Sequence, residues 1–202
     1  MISVYKLKPK FQQLLTPILQ FLHRQKVTAN QITVSSILLS VVIGILFWFS
    51  DYWNWLFLAL PIGLLLRMAL NALDGMMARQ YNQTSSLGEV LNEVGDIISD
   101  VIIFFPLLKF QSESVYLVVI FIILSVINEF SGLLGKAIGK NRRYDGPMGK
   151  SDRALLLGIY GLLLAFGIDI SAYSDYIFGV IIILIVISTF IRLKRSLNGA
   201  SN

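Results

Sequence analysis

Residues 71–100 read NALDGMMARQYNQTSSLGEVLNEVGDIISD. Asp74, Glu93, Asp96 and Asp100 stand there among Leu, Ile, Val and Met, in a chain that is 55% hydrophobic and 14% charged. Its mean hydropathy is +0.71. That composition points to a polytopic membrane protein and away from a soluble domain. With no cysteine, there is neither a disulfide framework nor a thiolate metal site. What the stretch leaves to explain is why acids sit in greasy helices.

Working outward, a bilayer span needs roughly 20 apolar residues. Six segments qualify: Ile32–Phe49, Trp55–Leu73, Val90–Lys109, Val115–Ile138, Ala154–Ile170 and Tyr176–Ile191. The second and third carry the acids. The expected fold is all-α, one membrane domain over residues 1–202, with a six-helix bundle over 31–195 and a cytoplasmic or interfacial segment over 1–30. Lys6, Lys8, Lys10, Arg24 and Lys26 precede the first span, and Arg79 follows the second. Lys136, Lys140, Arg142, Arg143, Lys150 and Arg153 separate the fourth from the fifth, and Arg192, Lys194 and Arg195 follow the sixth. Only Lys109 falls on the other side, beside Asp51, Glu113, Asp169 and Asp175. The positive-inside rule then puts both termini in the cytoplasm. The net charge of +5 is thereby assigned to membrane topology and not to nucleic acid.

The first long apolar run begins near residue 32, too late for a signal peptide. Ahead of it Phe11, Leu14, Leu15, Ile18, Phe21 and Leu22 recur at helical spacing among Lys10, Gln12, Gln13, Gln20 and Arg24. This pattern predicts an amphipathic helix on the cytoplasmic membrane face, kinked or started by Pro17.

On the second span Arg67, Asn71, Asp74 and Ala78 follow steps of four, three and four, so they share a face, with Gly75 one residue round. On the third, Gly88, Asn92, Asp96 and Asp100 lie four apart, flanked by Glu89 and Glu93. The polar linker QYNQTSS makes the two spans an antiparallel hairpin whose polar faces meet near its cytoplasmic end. A carboxylate at the centre of a membrane helix costs roughly 2.5–3.5 kcal/mol, so Glu93, Asp96 and Asp100 facing lipid would cost on the order of 8–10 kcal/mol together. They must face a wet cavity, a cation or a basic partner. Oxygen-only donors suit a hard divalent cation, Mg²⁺ first, with Mn²⁺ in its place as an alternative. Gly75, Ala78 and Gly88 leave room for a ligand against the backbone, or for tight helix packing. Intramembrane acids also mark ion and proton pathways, so a transporter using Asp74, Asp96 and Asp100 as a relay competes at this point.

The residues resemble the signature of the CDP-alcohol phosphotransferase (CDP-alcohol phosphatidyltransferase) family, D-x-x-D-G-x-x-A-R, eight residues, then G-x-x-x-D-x-x-x-D. The same frame here is Asn71, Asp74, Gly75, Ala78, Arg79, the gap Gln80 to Leu87, then Gly88, Asn92 and Asp96. VTANQITVSS before the first span is similar to the family's Pro-Asn-x-(Ile/Leu)-Thr segment, with Ala29 in place of proline. The resemblance implies a six-span homodimer that joins a CDP-linked lipid donor, usually CDP-diacylglycerol, to an alcohol acceptor and releases CMP. It implies Asp96 as general base, one or two divalent ions at Asn71, Asp74, Asn92 and Asp96, and a CDP site lined by Asn71, Asp74, Gly75, Ala78, Arg79 and Gly88. A transporter would explain the acids but neither the Gly75–Ala78–Arg79 pattern nor the fixed gap. A catalytically silent lipid-binding relative is the third reading.

Two departures matter. Where the family has its first and third aspartates, this chain has Asn71 and Asn92. An amide oxygen can still ligate a metal, but without charge. Either a single ion binds, or Glu93, Asp100 or Glu89 restores the charge; Glu93 and Asp100 are the favoured substitutes and join the expected metal set.

GKNRRYDGPMGKSDRA, residues 139–154, lies between the fourth and fifth spans. GKS there is not a phosphate loop, because Tyr144 stands where the first glycine must be. Arg142, Arg143, Lys150 and Arg153 are left to bind an acceptor phosphate, as relatives place basic residues from this region, or anionic headgroups, or simply to mark the cytoplasmic side. Asp145-Gly146-Pro147 reads as a turn, with Ser151 or Asp152 capping the next helix. Glu129 is expected to pair with Arg67 or a loop lysine, and His23 to be an exposed face residue. Gly135 and Gly139 suit close packing within the chain or in a dimer.

Overall fold

The computed structural model describes residues 8–139, 141–168 and 170–200. Lys6, Lys140 and Asp169, used above for orientation, lie outside the described residues. The described residues form helices joined by short connections: α1 Lys8–Arg24, α2 Ala29–Trp48, α3 Ala59–Gln80, α4 Ser86–Phe104, the single turn α5 Leu107–Phe110, α6 Val115–Gly139, α7 Lys150–Ala165 and α8 Ser174–Ala200. Among the described residues there is no strand. Two compact units divide the chain, one running to Ile103 and one from Phe104.

Among the described residues four stretches are long and apolar enough to cross a membrane: Ala29–Trp48, Asn54–Gln80, Val115–Ile138 and Ser171–Asn198. The protein is therefore an integral membrane protein. The other two expected spans coincide with α4 and α7. Helix α4 carries Glu89, Glu93, Asp96 and Asp100 in 19 residues, and α7 has only 16. Charge in one and length in the other keep them off that set.

In the first unit, α2 starts cleanly because Thr28 caps it. The Thr28 hydroxyl accepts from the Gln31 N–H at 3.3 Å, and the Gln31 side chain accepts from the Thr28 N–H at 2.9 Å. This reciprocal box satisfies two otherwise orphaned donors. The linker after α3 then ties back, as the Ala29 N–H donates to Gln83 Oε1 at 2.8 Å. Small residues let the helices close up. A Cβ on Gly63 would come within 2.5 Å of Ile43, one on Gly95 within 2.5 Å of Ile37, and one on Gly44 within 2.9 Å of the Ile102 carbonyl. Helix α2 is thus held against both α3 and α4.

Helix α1 differs from its expected use. It runs unbroken through Pro17, and its apolar residues split into two stripes. Leu15 and Leu19 are buried with Ala29, Ile32, Leu73, Met76 and Met77. Leu14, Ile18 and Phe21 are exposed. One stripe therefore docks on protein, each buried leucine contributing about 1.5–3 kcal/mol. His23 is exposed, as expected, and its ring stacks on Tyr81 at 3.5 Å between centroids.

In the second unit α6 packs along α8, with Phe104, Phe121 and Phe178 in a chain of ring contacts. Gly135 serves packing inside the chain, since a Cβ there would meet the Arg143 side chain at 2.6 Å and Ser196 Oγ at 2.9 Å. The 145–147 turn is real: Gly146 has φ +94° and its backbone lies against Ser188. The cap of α7 differs. Gly149 is the N-cap residue, and Asp152 reaches back to accept from its N–H at 3.0 Å.

Candidate active site

Three helices of the first unit build one polar network. Helix α3 buries Leu73, Met76 and Met77 on its outer face, which turns Arg67, Asn71 and Asp74 the other way. On α2, Thr33 donates to Asp74 Oδ2 at 2.9 Å and Ser36 donates to Asn71 Oδ1 at 2.6 Å. Across to α4, the Asn71 amide donates to Asp96 Oδ1 at 3.2 Å. The opposite orientation of that amide would set carbonyl oxygen against carboxylate oxygen, which fixes the one described. Asn71 therefore joins Ser36 on α2 to Asp96 on α4, while Asp74 is tied to α2 through Thr33.

Arg67 closes the deep end. It is 4% exposed and donates to Asp100 Oδ1 at 2.7 Å. Its other terminal nitrogen donates to the Asp96 backbone carbonyl at 3.3 Å and lies 3.6 Å from Asp96 Oδ1. Asp100 is itself buried. A buried guanidinium and a buried carboxylate are tolerable only as partners, because either alone would carry its full desolvation cost. Asp100, expected to supply negative charge toward a metal, spends it on Arg67.

The remaining motif residues are placed as follows. Asn92 and Glu93 are half-buried on α4, and Glu89 is exposed. Ala78 is half-buried and Arg79 exposed at the end of α3. The Arg79 guanidinium covers Gly75, 3.2 Å from where a Cβ would be. Gly88 packs on Asn30, whose Oδ1 would lie 2.6 Å from a Cβ. That glycine brings the start of α4 against the start of α2, where Thr33 and Ser36 begin their contacts with the motif.

The donor set can be tested for a divalent ion. It consists of carboxylate and amide oxygens, which suit a hard cation that keeps some of its water. Among the described residues no three His, Cys, Asp or Glu side chains cluster as a ready-made metal cage. Asp74 and Asp96, with the amides Asn71 and Asn92, supply oxygen donors of the kind that suits such a cation.

The basic residues of the second unit form a separate cluster. Glu129 is 5% exposed and is paired with Arg153 at 2.8 Å and Arg142 at 3.0 Å, with Arg192 at 3.8 Å. Arg67 was the wrong partner for it. Arg153 also donates to the Met148 carbonyl at 3.2 Å, Arg143 to the Arg195 carbonyl at 3.0 Å, and Arg192 to the Asn128 carbonyl at 2.8 Å. Lys150 is half-buried at the start of α7. Three arginines around one glutamate leave a net positive cluster.

Residues 26–191 match the CDP-alcohol phosphatidyltransferase family. The chain belongs to that family. The match decides against the transporter and makes this a membrane transferase of phospholipid synthesis. The inner membrane protein YnbA of Escherichia coli (strain K12) is 46% identical over 163 residues, 81% of each chain. An uncharacterized protein of Aquifex aeolicus (strain VF5) is 28% identical over 158 residues, 78% of this chain and 70% of that one. Mycobacterium tuberculosis phosphatidylinositol phosphate synthase (PgsA1), in complex with manganese and citrate, matches with a TM-score of 0.74 at 22% identity, over 90% of this chain and 88% of that one. The same synthase with CDP-DAG bound matches with a TM-score of 0.68 over 93% and 94%. At 22% identity these likenesses are of fold.

The contacts of Thr33 and Ser36 with α3, of Asn30 with Gly88 and of Gln83 with Ala29 are not specified by the sequence, although VTANQITVSS and QYNQTSS carry all four residues. A signal for the first two exists: Thr33, Ser36 and Ser40 share one face of an otherwise apolar helix.

Proposed function

We propose that this chain transfers a phosphatidyl group, or another phospho-alcohol, from a CDP-linked donor such as CDP-diacylglycerol to an alcohol, releasing CMP. The observation that carries it is the Asn71–Asp96 contact between α3 and α4, with Asp74, also on α3, held by Thr33, in the frame of the family signature. Asp74 and Asp96 would hold a divalent ion, Mg²⁺ or Mn²⁺, with Asn92 and Glu93 as flanking donors. When bound, that ion neutralises the diphosphate and makes CMP a better leaving group. Gly75, Ala78 and Gly88 line the cytidine diphosphate by their place in the signature, and Arg79, which lies over Gly75, offers it a guanidinium. Asp96 accepts the proton of the acceptor hydroxyl as that oxygen bonds to the lipid-bearing phosphorus. The bond from phosphorus to the CMP oxygen breaks, and CMP leaves with the electron pair. Thr33, donating to Asp74, and Asn71, donating to Asp96, fix both carboxylates before substrate arrives.

In this reading α4 and α7 complete six spans, because Asp96 and Asp100 of α4 face Arg67 and Asn71 and not lipid. The exposed stripe Leu14, Ile18 and Phe21 rests α1 on the cytoplasmic face of a bacterial inner membrane, with both termini inside and the chain working as a homodimer. Arg142, Arg143 and Lys150 receive an anionic part of the acceptor, with Arg153 buried behind them on Glu129, supported by the excess of positive charge around that glutamate. The test is purified chain in lipid with CDP-diacylglycerol, Mg²⁺ and a panel of alcohols, scored for CMP. CMP release lost in Asp74→Ala and in Asp96→Ala supports the assignment. No CMP with any alcohol identifies a silent relative, and wild-type turnover by Asp96→Ala removes the base.

A further inference from the structure

The guanidinium of Arg67 sits where the acids of α4 need positive charge. We infer that Arg67 stands in for a second metal ion, so that the site works with one divalent cation per chain. The inference rests on the transferase reading above and adds to it a role for a residue outside the signature.

Two groups already act on Asp96 Oδ1: the Asn71 amide at 3.2 Å and the Arg67 guanidinium at 3.6 Å. The same guanidinium holds Asp100 at 2.7 Å. A divalent ion approaching Oδ1 would meet a buried fixed cation within a few ångströms, and the like charges repel strongly in such surroundings. Charge agrees with position. Arg67 offsets Asp100, and the signature positions themselves keep the carboxylates Asp74 and Asp96. Those two charges match one divalent ion. Four aspartates in the signature would match two such ions. The asparagine at 71 belongs to the same device, because an aspartate there could not donate to Asp96. Arg67 and Asn71 lie one helical turn apart on α3, so both reach the same carboxylate from one side. Arg67 acts through Asp96 and Asp100, as a positioning residue.

The experiment is a Mn²⁺ titration of the full chain in nanodiscs of zwitterionic lipid, with bound ion counted by electron paramagnetic resonance and elemental analysis. One Mn²⁺ per wild-type chain is expected. Arg67→Lys keeps one, because the charge is retained, and Arg67→Met admits a second. Two ions on the wild type overturn the inference, as does a folded Arg67→Met that still binds one ion with unchanged affinity. If Arg67→Met does not fold, the wild-type count decides alone. Two ions together with CMP release defeat only the one-ion site; no bound ion and no CMP release defeat the transferase reading as well.

Discussion

Replacing Asn71 by aspartate changes one atom and reverses the sense of one contact. The Asn71 amide donates to Asp96 Oδ1 at 3.2 Å. In Asn71→Asp an oxygen replaces that nitrogen, and two carboxylates face each other. Two unit charges 3.2 Å apart repel by about 5 kcal/mol at an effective dielectric of ~20, and by about 1 kcal/mol in bulk water. The Asp96 side chain is 18% exposed, so the true value lies between those limits. Protonation sets a ceiling, since neutralising a carboxyl of ordinary acidity at pH 7 costs about 4 kcal/mol. A destabilisation of about 2–4 kcal/mol follows for the ion-free protein.

The same change gives a divalent ion a second full charge to bind. Bound ligand stabilises with the logarithm of its concentration over its Kd, so excess Mg²⁺ recovers most of the loss. For a chain of this size, 1 kcal/mol moves the melting temperature by roughly 2–4 °C. Thermal unfolding in detergent should therefore show Asn71→Asp melting on the order of 5–15 °C below wild type in EDTA, with the gap narrowing sharply in Mg²⁺. Equal melting temperatures in EDTA would refute the donor role of Asn71. A gap that Mg²⁺ leaves untouched would refute the placement of an ion beside Asp96.

Other perturbations sort the packing from the chemistry. Glu129→Ala strips the buried Arg153 and Arg192 of a shared counter-charge and should destabilise by about 3–5 kcal/mol, read as a lower melting temperature whether or not metal is present. Gly44→Ala should lower it more than Gly88→Ala, because the added methyl meets the Ile102 backbone in the first and the movable end of the Asn30 side chain in the second; the reverse order would contradict the packing of α2 on α4. Gly146→Ala combines φ +94° with a methyl 2.7 Å from Ser188 Cα and should cost at least about 2 kcal/mol. His23→Ala should leave CMP release intact, since the ring only stacks on exposed Tyr81-side surface.

Spacing alone reached far into this fold because helical periodicity is rigid. Steps of three and four put Arg67, Asn71 and Asp74 on one face and Asn92, Asp96 and Asp100 on another, and α3 and α4 carry them so. Spacing carries no information about which member of one face meets which member of the other, and the energies of the alternatives are close. Arg67 was free, on sequence grounds, to take Glu129 or any acid of α4. Its pairing with Asp100 is set by position: both lie farthest from the α3–α4 linker among the polar residues of their faces, and both are buried, where an unpaired charge costs most. Glu129 lies in the second unit and draws on Arg142, Arg153 and Arg192, three residues far along the chain from each other or from it. The same limit hid Thr33 and Ser36. A hydroxyl in an apolar helix usually bonds its own backbone, as Ser40 does to the Ser36 carbonyl at 2.8 Å. Thr33 does this too, to the Ala29 carbonyl at 3.1 Å, while also reaching Asp74. Only the approach of α3, permitted by Gly63 against Ile43, converts a helix-local hydroxyl into a donor for the motif. The site therefore depends on glycines that never touch it. Small residues at 44, 63 and 95 set the helix separations, and those separations decide whether Asp74 and Asp96 are held by partners or left to lipid.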